Sequence, residues 1–277
     1  MPVDRGRVVM FTPGVLEPGG AAKHSLAIAS GLARLGYGVT LISREATTAL
    51  PRIWMEEDGC RVLALPSPLS PRLGAVLYLT LAPLLGLLAG GRAPRLIALQ
   101  LSAPTLAGCL CSVVRRAPLV VFSFSSGHGG EPSIYAASRP RRLRLWLLAR
   151  ASVLVGQTPA SAGELSALSP GTPTAVLPNP LELPAEAPAL TGAQHAAFSG
   201  RLTEGKGLEL LLEVWAELAD RNPSRRLALI GAGRSWGGPW RPIEDQLRRS
   251  VEADELLRGS VYSVSYTHLT LPTTPYV

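Results

Sequence analysis

Only three of the 277 residues are cysteine, too few to staple a fold with disulfides, so the composition points to a reducing compartment. Aromatic side chains make up 5%, too few for the stacking platforms of a single-strand nucleic-acid binder. Lysine is almost missing: of 27 cations only Lys23 and Lys206 are lysine, and the other 25 are arginine. That bias follows genome composition, so the net charge of +7 is only weak evidence for nucleic acid; an anionic substrate or an anionic membrane surface fits it equally well. No DxD occurs, and His24, His128, His195 and His268 are too dispersed for a ligand cluster, so no metal is expected. No GxSxG elbow is present, which argues against a serine hydrolase. Nor does a secretory signal open the chain, because Val8-Val9-Met10-Phe11 is too brief for an h-region; the expected location is cytoplasmic. Between Arg72 and Arg92 there is no charge at all. A run of that length is a membrane-span candidate, but Pro83, several glycines and its place between two strands favour a buried or peripheral helix.

What is present is a regular alternation. Apolar residues reach 47% and charged residues 17%, which excludes a disordered chain. Val8–Phe11, Val39–Ile42, Arg61–Leu65, Leu96–Leu99, Leu119–Phe122 and Val153–Val155 are short apolar runs bounded by turn residues. Between them, helical spacing runs over Ala22–Leu35, Leu73–Leu88, Thr105–Val114 and Arg141–Arg150. Strands alternating with helices predict an α/β fold on a parallel sheet covered on both faces. The expected organisation is a Rossmann-like domain over 1–180, a proline-rich linker over 181–194, the beginning of a second Rossmann-like domain over 195–262, and a non-native tail over 263–277. In the second domain the pattern predicts strands at Ala196–Phe198 and Leu227–Ile230, and helices at Leu208–Leu218 and Ile243–Leu257.

Two glycine-bearing turns carry the chemistry. Pro18-Gly19-Gly20-Ala21-Ala22-Lys23-His24 lies between the first strand and the first helix, where backbone can approach an anion and helix N–H groups face it. Gly200-Arg201-Leu202-Thr203-Glu204-Gly205-Lys206-Gly207 nearly spells a Walker A loop, yet Gly207 stands where a hydroxyl should hold Mg²⁺. Arg201 and Lys206 then bracket a helix N-terminus and can neutralise a diphosphate without metal; a solvated loop with two cations is the bland alternative. Gly231-Ala232-Gly233 hints at a dinucleotide fingerprint, but Trp236 fills the third glycine position. His128 and Glu131 end a strand in a polar loop, placed either to assist a reacting hydroxyl or simply to hold the loop. Arg139, Arg141, Arg142 and Arg144, interleaved with Leu143, Leu145, Trp146 and Leu147, form either a membrane-surface helix or a helix with one solvated basic face.

Taken together, these residues resemble family 4 of the retaining glycosyltransferases, which have the two-domain GT-B fold. Gly19-Gly20, His24-Ser25-Leu26-Ala27 and Leu32-Ala33-Arg34-Leu35-Gly36-Tyr37-Gly38-Val39 are similar to the family's N-terminal signature, with Tyr37 where His is usual. Phe198-Ser199-Gly200-Arg201-Leu202, Lys206-Gly207 and Leu229-Ile230-Gly231-Ala232-Gly233 are similar to its C-terminal signature. The resemblance implies transfer of a sugar from a nucleotide-sugar to a saccharide or lipid-linked acceptor hydroxyl, in cell-surface polysaccharide or glycolipid synthesis. It gives Arg201 and Lys206 the donor diphosphate, with Gly19 and Gly20 closing on the same phosphates. It gives His128 a catalytic-loop role, and Gly231, Gly233 and Glu131 supporting loop contacts. The family's downstream Glu-x₇-Glu motif is missing, and Ser263–Val277, uncharged and rich in Thr, Pro and Tyr, resembles translated adapter read-through. The resulting expectation is a truncated and inactive transferase. An NAD(P)-dependent oxidoreductase and a non-catalytic phosphate-binding module are the alternatives.

Overall fold

The computed structural model describes residues 5–16, 20–45, 52–55, 59–66, 71–92, 94–180, 195–231 and 243–265. The chain divides into two compact units, Met1–Leu183 and Pro184–Val277.

In the first unit the elements run β1 (Arg7–Thr12), α1 (Gly20–Arg34), β2 (Gly38–Glu45), β3 (Arg52–Met55), β4 (Arg61–Pro66), α2 (Pro71–Ala89) and β5 (Arg95–Leu99). They continue through α3 (Ala103–Arg115), β6 (Leu119–Ser123), α4 (Glu131–Ala137), α5 (Arg141–Leu148), β7 (Val153–Gly156), α6 (Pro159–Leu168) and β8 (Thr174–Val176). Eight strands form one sheet in the order β3-β4-β2-β1-β5-β6-β7-β8. All neighbours are parallel except β3 and β4, which pair antiparallel.

The strand order decides where the helices go. From β1 the chain winds outward through β2 to β4, then returns to β5 on the other side of β1 and winds the opposite way. Right-handed crossovers therefore put α1 on one face and α2 to α6 on the other. Side-chain alternation along β1 follows: Val8 and Met10 pack with Ala29 of α1, while Val9 and Phe11 pack with Tyr78 of α2 and Ala107 of α3. The reversal between β1 and β5 is a topological switch point, the crevice where such sheets bind ligands.

The uncharged stretch is α2, held down by polar contacts within its length. The buried Tyr78 hydroxyl donates to the Ile42 carbonyl at 3.1 Å, and Cys111 Sγ lies 3.2 Å from the Pro83 carbonyl oxygen. Among the described residues no helix is long and apolar enough to cross a membrane.

In the second unit β9 (His195–Ser199), α7 (Leu208–Arg221), β10 (Arg226–Gly231), α8 (Glu244–Ala253), α9 (Glu255–Ser260) and β11 (Val261–Ser265) build a parallel sheet in the order β11-β10-β9. Leu208, Leu212 and Trp215 of α7 pack on Leu227 and Leu229 of β10. The buried Trp215 indole also donates to Ser260 Oγ at 3.1 Å, fixing α7 against α9. The helix expected over Ile243–Leu257 is broken at Asp254, whose carboxylate accepts from the backbone N–H groups of Leu256 and Leu257 and so caps a new helix. Ser263, Val264 and Ser265, expected to begin a foreign tail, pair with Leu229, Ile230 and Gly231. The expected linker 181–194 and residues 266–277 lie outside the described residues.

Candidate active site

At the carboxyl edge of the first sheet, β1 ends in Thr12, and Thr12 Oγ1 lies 2.9 Å from Ser25 Oγ of α1. The turn that follows is held by Glu45, the last residue of β2. Its buried carboxylate accepts from Val15 N at 2.8 Å and from Leu16 N at 3.2 Å. Two backbone donors on one buried carboxylate place the start of the glycine turn on the end of the neighbouring strand. Gly19 lies outside the described residues. Gly20 is the first residue of α1, and a Cβ added there would meet nothing within 4 Å. No acidic residue occupies the first turn of α1, and Lys23 is exposed. This helix start is electropositive.

Next to it lies a cluster around His24. His24 is 5% exposed, with its ring centroid 4.8 Å from that of Phe124 and 6.0 Å from that of Phe122. Its Nδ1 is hydrogen-bonded to Asn179 Oδ1, which also accepts from Gln157 Nε2. Nε2 of His24 is buried and has no partner among the described residues. Burial lowers the pKa of His24, against the opposing effect of the Asn179 bond, and so favours the neutral ring. With the proton on Nδ1, the vacant lone pair is on Nε2. His24 was legible as part of the N-terminal signature, but Gln157 and Asn179 carry no spacing that would have flagged them.

The loop after β6 is firmer than its polar, glycine-rich text implies. Glu131, expected as a loop contact, is the first residue of α4 and only 8% exposed. Its Oε2 accepts from Leu101 N at 2.9 Å and from Phe124 N at 3.2 Å, tying the ends of β5 and β6 together. Burial pushes its pKa up to about 7, against the lowering effect of these hydrogen bonds. His128 of the same loop faces solvent instead. Gln100, just past β5, holds φ at 84°, a conformation non-glycine residues rarely adopt, and its carbonyl accepts from Thr105 Oγ1 at 2.8 Å. Such strain collects at functional edges and leaves no trace in a single sequence.

In the second unit, the loop from Gly200 to Gly207 joins β9 to α7. Leu202 and Thr203 are buried and anchor it, while Arg201 and Lys206 are exposed. Among the described residues neither cationic side chain has an ion-pair partner; Glu204, also exposed, sits between them in sequence. Gly207 caps α7 at φ 68°, the left-handed conformation that favours glycine. A Cβ at Gly231 would collide with the Gly200 carbonyl oxygen, so this glycine is required by the packing of two strand ends. Gly233 lies outside the described residues. The structure thus places Arg201, Lys206 and Gly231 around one loop of the second unit, and Gly20, His128 and Glu131 at one sheet edge of the first. Among the described residues no three His, Cys, Asp or Glu side chains group as metal ligands.

Residues 19–180 match the glycosyl transferase 4-like domain. The chain belongs to that family. No curated protein matches the sequence. Among solved structures, sucrose-phosphate synthase from Thermosynechococcus elongatus aligns at TM-score 0.65 with 17% identity, over 94% of this chain and 70% of that one. The E. coli trehalose-6-phosphate protein bound with UDP-2-fluoro glucose gives 0.62 and 15%, over 94% and 73%. An α,α-trehalose-phosphate synthase (UDP-forming) from Burkholderia vietnamiensis gives 0.56 and 14%, over 92% and 69%. At these identities the likeness is one of fold, the GT-B fold. This glycosyltransferase family membership leaves the oxidoreductase alternative without support.

Proposed function

We propose that this glycosyltransferase moves a sugar from a nucleotide-sugar donor to a hydroxyl of a saccharide or lipid-linked acceptor, with retention, in the building of a cell-surface polysaccharide or glycolipid. The observation that carries this reading is the pair Arg201 and Lys206, exposed on the strand-to-helix loop that opens the 14-residue helix α7. As the bond from the anomeric carbon to the diphosphate oxygen breaks, its electron pair stays with the phosphate. The two cations and the helix N-terminus stabilise the charge that grows there, in the place of a metal ion. In the first unit Gly20 leaves room for backbone to meet an anion at the start of α1, and in the second Gly231 lets the ends of β9 and β10 meet; Gly19 and Gly233 have phosphate and loop contacts by the resemblance alone. His128 serves near the reacting hydroxyl, and Glu131 supports the wall on which that loop rests.

The low cysteine content supports a cytoplasmic location in this reading, with the basic helix α5 resting on the anionic inner face of the plasma membrane. The experiment is incubation of the full chain with a panel of uridine, guanosine and adenosine diphosphate sugars, reading nucleotide release, sugar transfer and nucleotide binding. Binding that Lys206→Ala abolishes supports the assignment. Absence of binding by any nucleoside diphosphate overturns it.

A further inference from the structure

We propose that the outer face of helices α2, α3 and α5 together is a docking surface for an anionic lipid bilayer. This rests on the reading of α5 as a membrane-surface helix and extends it to the two helices beside it. The three helices lie on the same face of the first sheet, with α3 packed between α2 and α5. Their sheet-facing sides fill the core, yet their outward sides are not polar. On α2, Val76, Leu84 and Leu88 are exposed, Leu88 to 77%; on α3, Val114 is exposed to 66%; on α5, Leu143 and Trp146 are about half exposed. A solvated helix layer carries charge at such positions, whereas an exposed apolar set spread over three adjacent helices marks a surface that is covered in use.

Charge selects the occupant. Between Asp58 and Glu164 the sequence has eleven arginines and one acidic residue, Glu131, which is buried. The cations sit among the apolar residues. Arg115 donates from Nη2 to the Leu87 carbonyl at 2.8 Å, which fixes a guanidinium where the ends of α2 and α3 meet. Arg150 lies over the Trp146 ring at 4.4 Å. Arg116 and Arg150 line an open cleft with Ser112 and Ser152 at the edge of this face. Arg141 and Arg142 are exposed at the start of α5. Two copies of the chain meeting through this face would oppose arginine with arginine. An anionic bilayer instead supplies phosphate to the guanidinium groups and acyl chains to Leu88, Val114 and Trp146, an arrangement that interfacial helices use.

Cosedimentation of the full 277-residue chain with vesicles tests this, comparing phosphatidylcholine alone with phosphatidylcholine containing phosphatidylglycerol. The chain is expected to pellet only with the anionic vesicles and to be released by salt. The double variants Leu88→Ser/Val114→Ser and Arg141→Glu/Arg142→Glu are each expected to weaken binding by about tenfold or more. All four sites are exposed, and unchanged circular dichroism confirms that the variants fold. If the charge variant loses binding while the apolar variant binds as the parent does, the three-helix surface is overturned and the α5 reading stands. If the parent binds neither vesicle, or binds both equally, both readings are overturned. Concentration-dependent dimerisation lost in the apolar variant, without vesicle binding, assigns the face to a second copy and overturns the proposal. No donor enters this assay, so none of these outcomes bears on sugar transfer.

Discussion

His24 and Asn179 stand 155 positions apart and share a hydrogen bond from the imidazole Nδ1 to the side-chain amide oxygen. It links the first helix to the extended segment that leaves the first unit, immediately beside the electropositive start of α1. Burial lowers the His24 pKa below its ordinary 6.5, so the native state resists protonation where the unfolded chain does not. As pH falls through 6.5 the unfolded state binds the proton first, and stability is lost. His24→Gln removes that dependence while keeping a side-chain donor. Urea unfolding of the first unit across a pH series should show the parent losing stability on acidification by a term that His24→Gln lacks. Parallel pH profiles for the two proteins would overturn the assignment.

Glu131 acts with the opposite sign in the same window. Its carboxyl is raised from 4.5 to about 7 by burial, so the native state keeps a proton that the unfolded chain gives up. Stability from this group is therefore present below 4.5 and lost as pH rises to about 7, an effect on the order of 3 kcal/mol. Glu131→Gln keeps an acceptor for Leu101 N and Phe124 N without the buried charge. At pH 8 the variant should be at least as stable as the parent. With the Glu131 slope gone, its acid-side loss from His24 should stand out more steeply. A variant clearly less stable at pH 8 would show that the charged carboxylate is the form the fold requires.

Much of this could be read from the residues, and the misses have physical causes. The apolar runs that became β1, β2, β4, β5, β6, β7 and β10 were legible because a parallel sheet buries both faces of its strands, whereas β9, an edge strand, is mostly exposed and was legible only as a short apolar run before a glycine turn. The short elements β3, β8, α4 and α6 were not. Their residues alternate weakly, and their structure is set by pairing and capping, as when Thr158 and Ser161 cap α6 reciprocally. Arg201 and Lys206 were found because glycines punctuate their loop. Glu45, Gln157 and Asn179 were not, because they meet their partners only through the strand order. Arg144, taken as part of a basic face, is half-buried over the Tyr135 ring at 4.2 Å, a contact that helical spacing does not show.

For the two cations, in a chain completed with the Glu-x₇-Glu segment that the resemblance implies, Arg201→Ala and Lys206→Ala should each lower turnover with a nucleotide-sugar by about 10²-fold or more, as removal of a transition-state charge partner does. Both side chains are exposed and lack ion-pair partners among the described residues, so folding should be unaffected. A fall in kcat with nearly constant thermal stability is the expected result. Turnover close to that of the parent in both variants would remove them from the donor site.

Two glycines separate a packing role from a ligand role. At Gly231 an added methyl would strike the Gly200 carbonyl oxygen, so Gly231→Ala must displace one strand end and should destabilise the second unit, whether or not a ligand binds there. Gly20 differs: its surroundings are open and it begins a helix, so Gly20→Ala should leave stability unchanged or raise it by up to about 1 kcal/mol. If backbone at this helix start must approach the donor phosphates closely, the same methyl stands in their way. Gly20→Ala should then weaken donor binding by about tenfold or more while the melting temperature holds or rises, a loss of about 1.4 kcal/mol at least. Calorimetric titration with a nucleoside diphosphate, run beside a thermal melt, measures both. Full donor affinity in Gly20→Ala would show that the first glycine turn only starts a helix.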